Sequence, residues 1–156
     1  MFKLRLTPTL AAFFTSALLA TSIVTAPPAH AGNTFVYDPA GQLVAVIDGS
    51  GNAAVYNYDL AGNLQSVTNA DNSQTAVYGF SPNNGPIGTS VTIYGNGFSI
   101  TPSQNTVKFT NNKTATVTAS TSTSITTSVP TGAVTGNVRV TTPAGSDTGS
   151  FKVTAQ

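Results

Sequence analysis

Two phrases constrain this chain more than any other feature: YDPAGQL at residues 37–43 and YDLAGNL at 58–64. Tyr37, Asp38, Gly41 and Leu43 recur 21 positions later as Tyr58, Asp59, Gly62 and Leu64, and Phe35 recurs as Tyr56. A third echo, VYGF, places Tyr78 and Phe80 one residue late, 22 positions after Tyr56 and Tyr58. An Asp side chain can close a turn by bonding backbone two residues on, and Gly supplies the positive φ that such turns need. Each phrase therefore reads as a β-hairpin turn, with Leu starting the returning strand. At period-2 spacing Phe35 with Tyr37, Tyr56 with Tyr58 and Tyr78 with Phe80 each share a side, forming an aromatic stripe. A hairpin needs something to bury, so core or inter-module packing is the expected role of that stripe.

The rest of the chain follows the same all-β grammar. Short alternating runs are broken by Gly, Asn, Pro and Asp about every ten residues, and no long segment after residue 31 has helical spacing. The expected strands are 34–37, 43–47, 53–58, 64–68 and 74–80, followed by 90–94, 106–109, 115–119, 124–129, 137–141 and 149–153. The Thr/Ser-rich segment 114–130 keeps Val117, Ile125 and Val129 as apolar anchors, which predicts two strands around a turn at 120–123 rather than a stalk.

Residues 1–31 stand apart. Lys3 and Arg5 precede an apolar run that ends in Ala29-His30-Ala31, the layout of a secretory signal peptide cleaved before Gly32. The run is shorter than the roughly 20 apolar residues of a membrane-spanning helix. Export removes the single His and the single Met of a chain that has no Cys, Trp or Glu. The remainder carries five Asp against Lys108, Lys113, Lys152 and Arg139, a net charge of −1. So few cations cannot build the basic patch that nucleic acid or an anionic membrane requires. Absence of Cys suits a bacterial envelope or secreted protein better than a small eukaryotic secreted domain, which leans on disulfides.

Catalysis and metal binding find little to work with. A Ser or Thr nucleophile would lack its usual His, and Asp48 with Asp59 or Asp38 would have to approach across strands to share acid-base work. Asp48, Ser50, Asn52 and Asp59 superficially fit calcium-loop positions, but the sixth position, which needs Gly, is Ala53. A hairpin turn explains these residues better. No catalytic residue, cofactor or metal is expected.

The two YD phrases, each followed by a second turn near DGSGN or NADNS, resemble the YD repeat of the RHS family, whose long arrays coil into hollow β shells. From FSPNNGPIGTSVTIYGNGFS onward the chain resembles an IPT/TIG domain, an immunoglobulin-like β-sandwich. Pro82, Gly85, Gly88, the run 91–93, GNGF at 95–98 and the stretch 129–140 carry that resemblance. The expected organisation is thus a signal peptide over 1–31, YD repeats over 32–77 and the sandwich over 78–156. Repeat units bury their cores between neighbours and generally need about three copies. Two hairpins must therefore fold back onto the sandwich or belong to a longer array. The resemblances imply an exported, non-catalytic surface or secreted module with a scaffold, adhesion or interaction role and a protein or glycan partner. The alternative is a carbohydrate-binding module of the envelope, with Tyr37, Tyr58 and Tyr78 as stacking platforms.

Overall fold

A computed structural model describes residues 32–155; the signal-peptide reading of 1–31 lies outside the described residues. Thirteen strands and two single-turn 3-10 helices, at Pro102–Gln104 and Thr110–Asn112, make up the regular structure. The first four strands, β1 (Thr34–Tyr37), β2 (Leu43–Ile47), β3 (Ala53–Tyr58) and β4 (Leu64–Ala70), form an antiparallel meander in chain order, the repeat sheet. Its hairpins keep matching register. A bulge follows Val36 in the first and Asn57 in the second, so Tyr37 faces Leu43 and Tyr58 faces Leu64.

The remaining strands build a two-sheet sandwich. One sheet has the order β10 (Ala119–Ser120), β11 (Ser124–Ser128), β7 (Ser90–Asn96), β5 (Ala76–Ser81). The other runs β6 (Asn84–Gly85), β13 (Gly145–Val153), β12 (Gly136–Thr142), β8 (Thr106–Phe109), β9 (Lys113–Ala115). Alternating residues of both sheets fill the space between them: Val91, Ile93, Ile125, Val138 and Val140 are fully enclosed. Phe151 stands at the centre, with Phe80 and Phe109 each meeting it edge-on at 5.7 Å between ring centres.

Three sequence expectations change here. The strand expected over 115–119 is two strands in different sheets. Ala115 pairs with Val107 on one side of the sandwich, and Ala119 pairs with Thr126 on the other, so the chain crosses between sheets at 116–118. The two-residue β6, which pairs in parallel with β13, gave no periodic signal because it is too short for one. Finally, Tyr78 and Phe80 do not share a side. β5 pairs Val77 with Gly95 and then Gly79 with Tyr94, leaving Tyr78 as the extra residue of a β-bulge. The bulge turns Phe80 into the sandwich core and Tyr78 out of it. It also gives a structural reason for the third echo arriving one residue late.

The repeat sheet lies on the sandwich as a third layer. Val36, Ala45, Ile47 and Ala53 are 0–4% exposed and form a second small core, closed from the sandwich side by Tyr78 and Tyr94. One close approach is at Gly79, where a Cβ would stand 2.6 Å from Val36 Cγ1, so glycine lets the two sheets come together there. Asn72 in the connecting loop donates to the Ser50 carbonyl at 3.0 Å, and buried Gly51 packs beside Asn72 and Thr123. Two repeats therefore fold back, with the outer face of the sandwich supplying the burial that a third repeat would otherwise provide.

Candidate functional site

Packing one side of the repeat sheet on the sandwich commits the other side to solvent. Val36, Ala45, Val55 and Ala53 alternate with Phe35, Val46, Tyr56 and Ala54, so the inward set fixes the outward one. Beyond the bulges Tyr37 pairs with Leu43 and Tyr58 with Leu64. The result is an exposed apolar and aromatic surface. Phe35 is 55% exposed, Tyr37 53%, Leu64 53% and Val67 48%. The stripe therefore divides: Phe80 is core and Tyr78 packs between the layers, as expected, whereas Phe35 and Tyr37 are exposed, because the sandwich packs on the smaller Val, Ala and Ile side.

Tyr37 and Tyr58 flank β2 on this face. The Tyr58 hydroxyl donates to the Leu43 carbonyl at 2.9 Å, so its ring reaches from β3 to the backbone of β2 and is fixed there. Tyr78 is not with them. It lies between the repeat sheet and the sandwich, half-buried, with a fully enclosed hydroxyl that has no hydrogen-bond partner among the described residues. Burial, with the Asp147 charge as a lesser cause, raises its pKa above the usual phenol value. A cleft of about 130 Å³ opens beside it, between Tyr37, Asp38 and Pro39 of the first turn and Val77, Asn83 and Ser150 of the sandwich.

The turns hold this face in register, and they are more alike than the 21-residue period suggests. DPAGQ at 38–42, DGSGN at 48–52 and DLAGN at 59–63 adopt one geometry. In each, the Asp Oδ1 accepts from the amides two and four residues on, at 2.8–2.9 Å. The Asp carbonyl accepts from the Gly amide at 3.0 Å, and Gly41, Gly51 and Gly62 have φ of +84°, +87° and +86°. Asn52 and Asn63 add an amide bond to the second carboxylate oxygen at 3.0 Å. The sequence signal was present: Asp, two residues, Gly, then Asn or Gln, three times within 26 residues. The middle copy falls outside the YD spacing because Ile47, not Tyr, precedes its Asp.

These contacts settle what the Asp residues do. Asp48 and Asp59 are held below the usual carboxylate pKa, first by the Asn52 and Asn63 side chains and then by the backbone amides of the same turns. Asp71, bonded to Ser73, is lowered in the same way. Asp48 and Asp59 sit at opposite ends of β3, about 20 Å apart for six extended residues. They cannot share a proton or a calcium ion with Ser50 and Asn52 between them. Among the described residues no group of three or more His, Cys, Asp or Glu converges on a metal-sized site.

The IPT/TIG domain model matches residues 76–156, slightly more than half of the chain. The chain belongs to the IPT/TIG family. An RHS Repeat model matches residues 37–74, which cover the repeat sheet from Tyr37 onward. Similar solved structures include an auxiliary nutrient binding protein from Bacteroides thetaiotaomicron VPI-5482, at 20% identity and a TM-score of 0.50 over 53% of this chain and 21% of that one. Another, from Bacteroides ovatus ATCC 8483, shows 25% identity and a TM-score of 0.49 over 52% and 21%. A candidate phosphatase from Bacteroides thetaiotaomicron VPI-5482 shows 27% identity and a TM-score of 0.49 over 53% and 19%. This chain thus spans about a fifth of each of these larger proteins. No significantly similar protein is found among curated proteins. Among the described residues no helix is long and apolar enough to cross a membrane.

Proposed function

We propose that this IPT/TIG protein is an exported, non-catalytic interaction module of the bacterial surface, in which the sandwich is the mount and the outer face of the repeat sheet makes the contact. One observation carries the reading: Phe35, Tyr37, Leu64 and Val67, all in the repeat sheet, are each about half exposed. Protein-binding surfaces are enriched in Tyr and Phe and poor in charge at their centres, and this face has both properties. The adjoining turn carboxylates, Asp38 and Asp59, are engaged by their own turns. The test is binding of the exported chain to envelope extracts and to purified surface polymers, with Phe35→Ser and Tyr37→Ser as probes. Loss of binding with an unchanged melting curve supports the reading. A hydrolase or transferase activity abolished by one Asp substitution overturns it.

The second reading is a glycan ligand, and it has its own observation. The Tyr58 hydroxyl is tied down on the Leu43 carbonyl, which holds the ring over the sheet as a preset platform for stacking on a sugar. On a broad glycan array, a signal that disappears in Tyr58→Ala selects this reading; a blank array with retained protein binding selects the first.

A further inference from the structure

A sheet edge exposes a row of free backbone donors and acceptors, and proteins guard such edges by keeping them short, charged, covered or interrupted by Pro. The three sheets here have six edge strands, and five are guarded. β6 and β10 have two residues, β9 three and β1 four. β5 has six, but the Asp147 carboxylate occupies its Val77 amide at 2.8 Å. The sixth is β4. It is seven residues long, LQSVTNA, without Pro or charge, six of its seven residues are exposed, and its one interruption is a bulge at Gln65, which leaves 66–70 as a regular run. After Ala70 the chain turns at Asp71 and enters β5, so no further hairpin follows to cover it.

We propose that β4 is a homotypic docking edge, pairing antiparallel with β4 of a second copy about a two-fold axis at Val67. The two repeat sheets then become one sheet of eight strands. The strand is self-complementary in that register. Val67 meets its own counterpart and Ser66 meets Thr68, so apolar faces apolar and hydroxyl faces hydroxyl. With no charge on the strand, nothing repels across the axis, which an isologous interface requires. The outer faces join at the seam, because Val67 and its cross-strand partner Tyr56 belong to that face. Beneath β4, Ser66 and Thr68 are exposed and the approach of a second strand is open. Pairing along one strand buries less than a standard interface, so the dimer is weak and forms by concentration. Paired outer faces would also present two copies of the proposed contact surface, but the edge does not depend on that reading.

Sedimentation velocity of residues 32–156, from about 10 µM to about 1 mM, reads the association directly. The expected result is a monomer that becomes a dimer across this range. V67K sets like charges against each other at the axis and keeps the chain monomeric throughout, with sandwich melting unchanged. The chain has no Cys, so single cysteines report the register. V67C crosslinks to a disulfide dimer under mild oxidation, whereas S146C, on an exposed part of β13, stays monomeric. A chain that remains monomeric to about 1 mM overturns the proposal, as does a dimer that survives V67K or a V67C that crosslinks no faster than S146C.

Discussion

The repeat sheet and the sandwich use the same strands and the same turn residues, yet they reach burial by different routes. The sandwich closes on itself: thirteen buried apolar residues, among them Phe80, Phe109 and Phe151, fill the space between its sheets. The repeat sheet buries only Val36, Ala45, Ile47 and Ala53, and the surface covering them belongs to the sandwich. At roughly 1.5–3 kcal/mol for a large aliphatic side chain, Val36 and Ile47 dominate that smaller core. An isolated meander with so small a core is marginal in water. The expectation is that the sandwich stands without the repeat sheet, while the repeat sheet depends on the sandwich.

The largest expected effect tests the sandwich. Phe151→Ala removes the ring on which Phe80 and Phe109 converge and should cost about 3–5 kcal/mol. Denaturant unfolding should show both parts lost together, since the repeat sheet loses its support; a repeat sheet that stays protected would break the proposed dependence. Gly79→Val comes next. Its side chain drives into Val36 and should cost about 1–3 kcal/mol as overpacking. Hydrogen exchange should speed up over 34–70 while 90–153 keeps its protection, and equal loss in both regions would mean one cooperative unit.

Gly62→Ala is smaller. It forces φ of +86° on a residue with a Cβ, at about 1 kcal/mol, and exchange should rise in β3 and β4 more than in β1 and β2. The smallest effect is acid sensitivity. Asp48, Asp59 and Asp71 have pKa values lowered from 3.8 by their turn hydrogen bonds, first those from Asn52, Asn63 and Ser73. A lowered folded pKa stabilises the turns above about pH 3.8, and that support is lost as pH falls through the folded values. Protection of the repeat sheet should decline below pH 3.8 before that of the sandwich, whose core contains no carboxylate. Simultaneous acid loss in both parts would remove the turns as the cause.

Much of this architecture is legible in single residues. Asp38, Gly41, Asp59 and Gly62 specify their turns because an Asx bond and a left-handed glycine are local demands, satisfied within five residues. Strands such as 43–47 and 106–109 follow from alternation for the same reason. The bulge at Tyr78 was not legible, because it depends on how β5 pairs with β7, residues distant in sequence. The crossing at 116–118 has the same origin: Thr116, Val117 and Thr118 carry no sign of which sheet each neighbour joins.

The candidate site divides along the same line. By itself the sequence determined that Phe35 shares a side with Tyr37 and Tyr56 with Tyr58, since side chains alternate along any strand. Which side would be buried was decided by the tertiary structure. The Val36, Ala45 and Ile47 side is compact enough to close on Gly79, and the aromatic side was left facing solvent. Alternation is a property of one strand, whereas burial is a property of the surface that meets it, and that surface is assembled from residues 76–96.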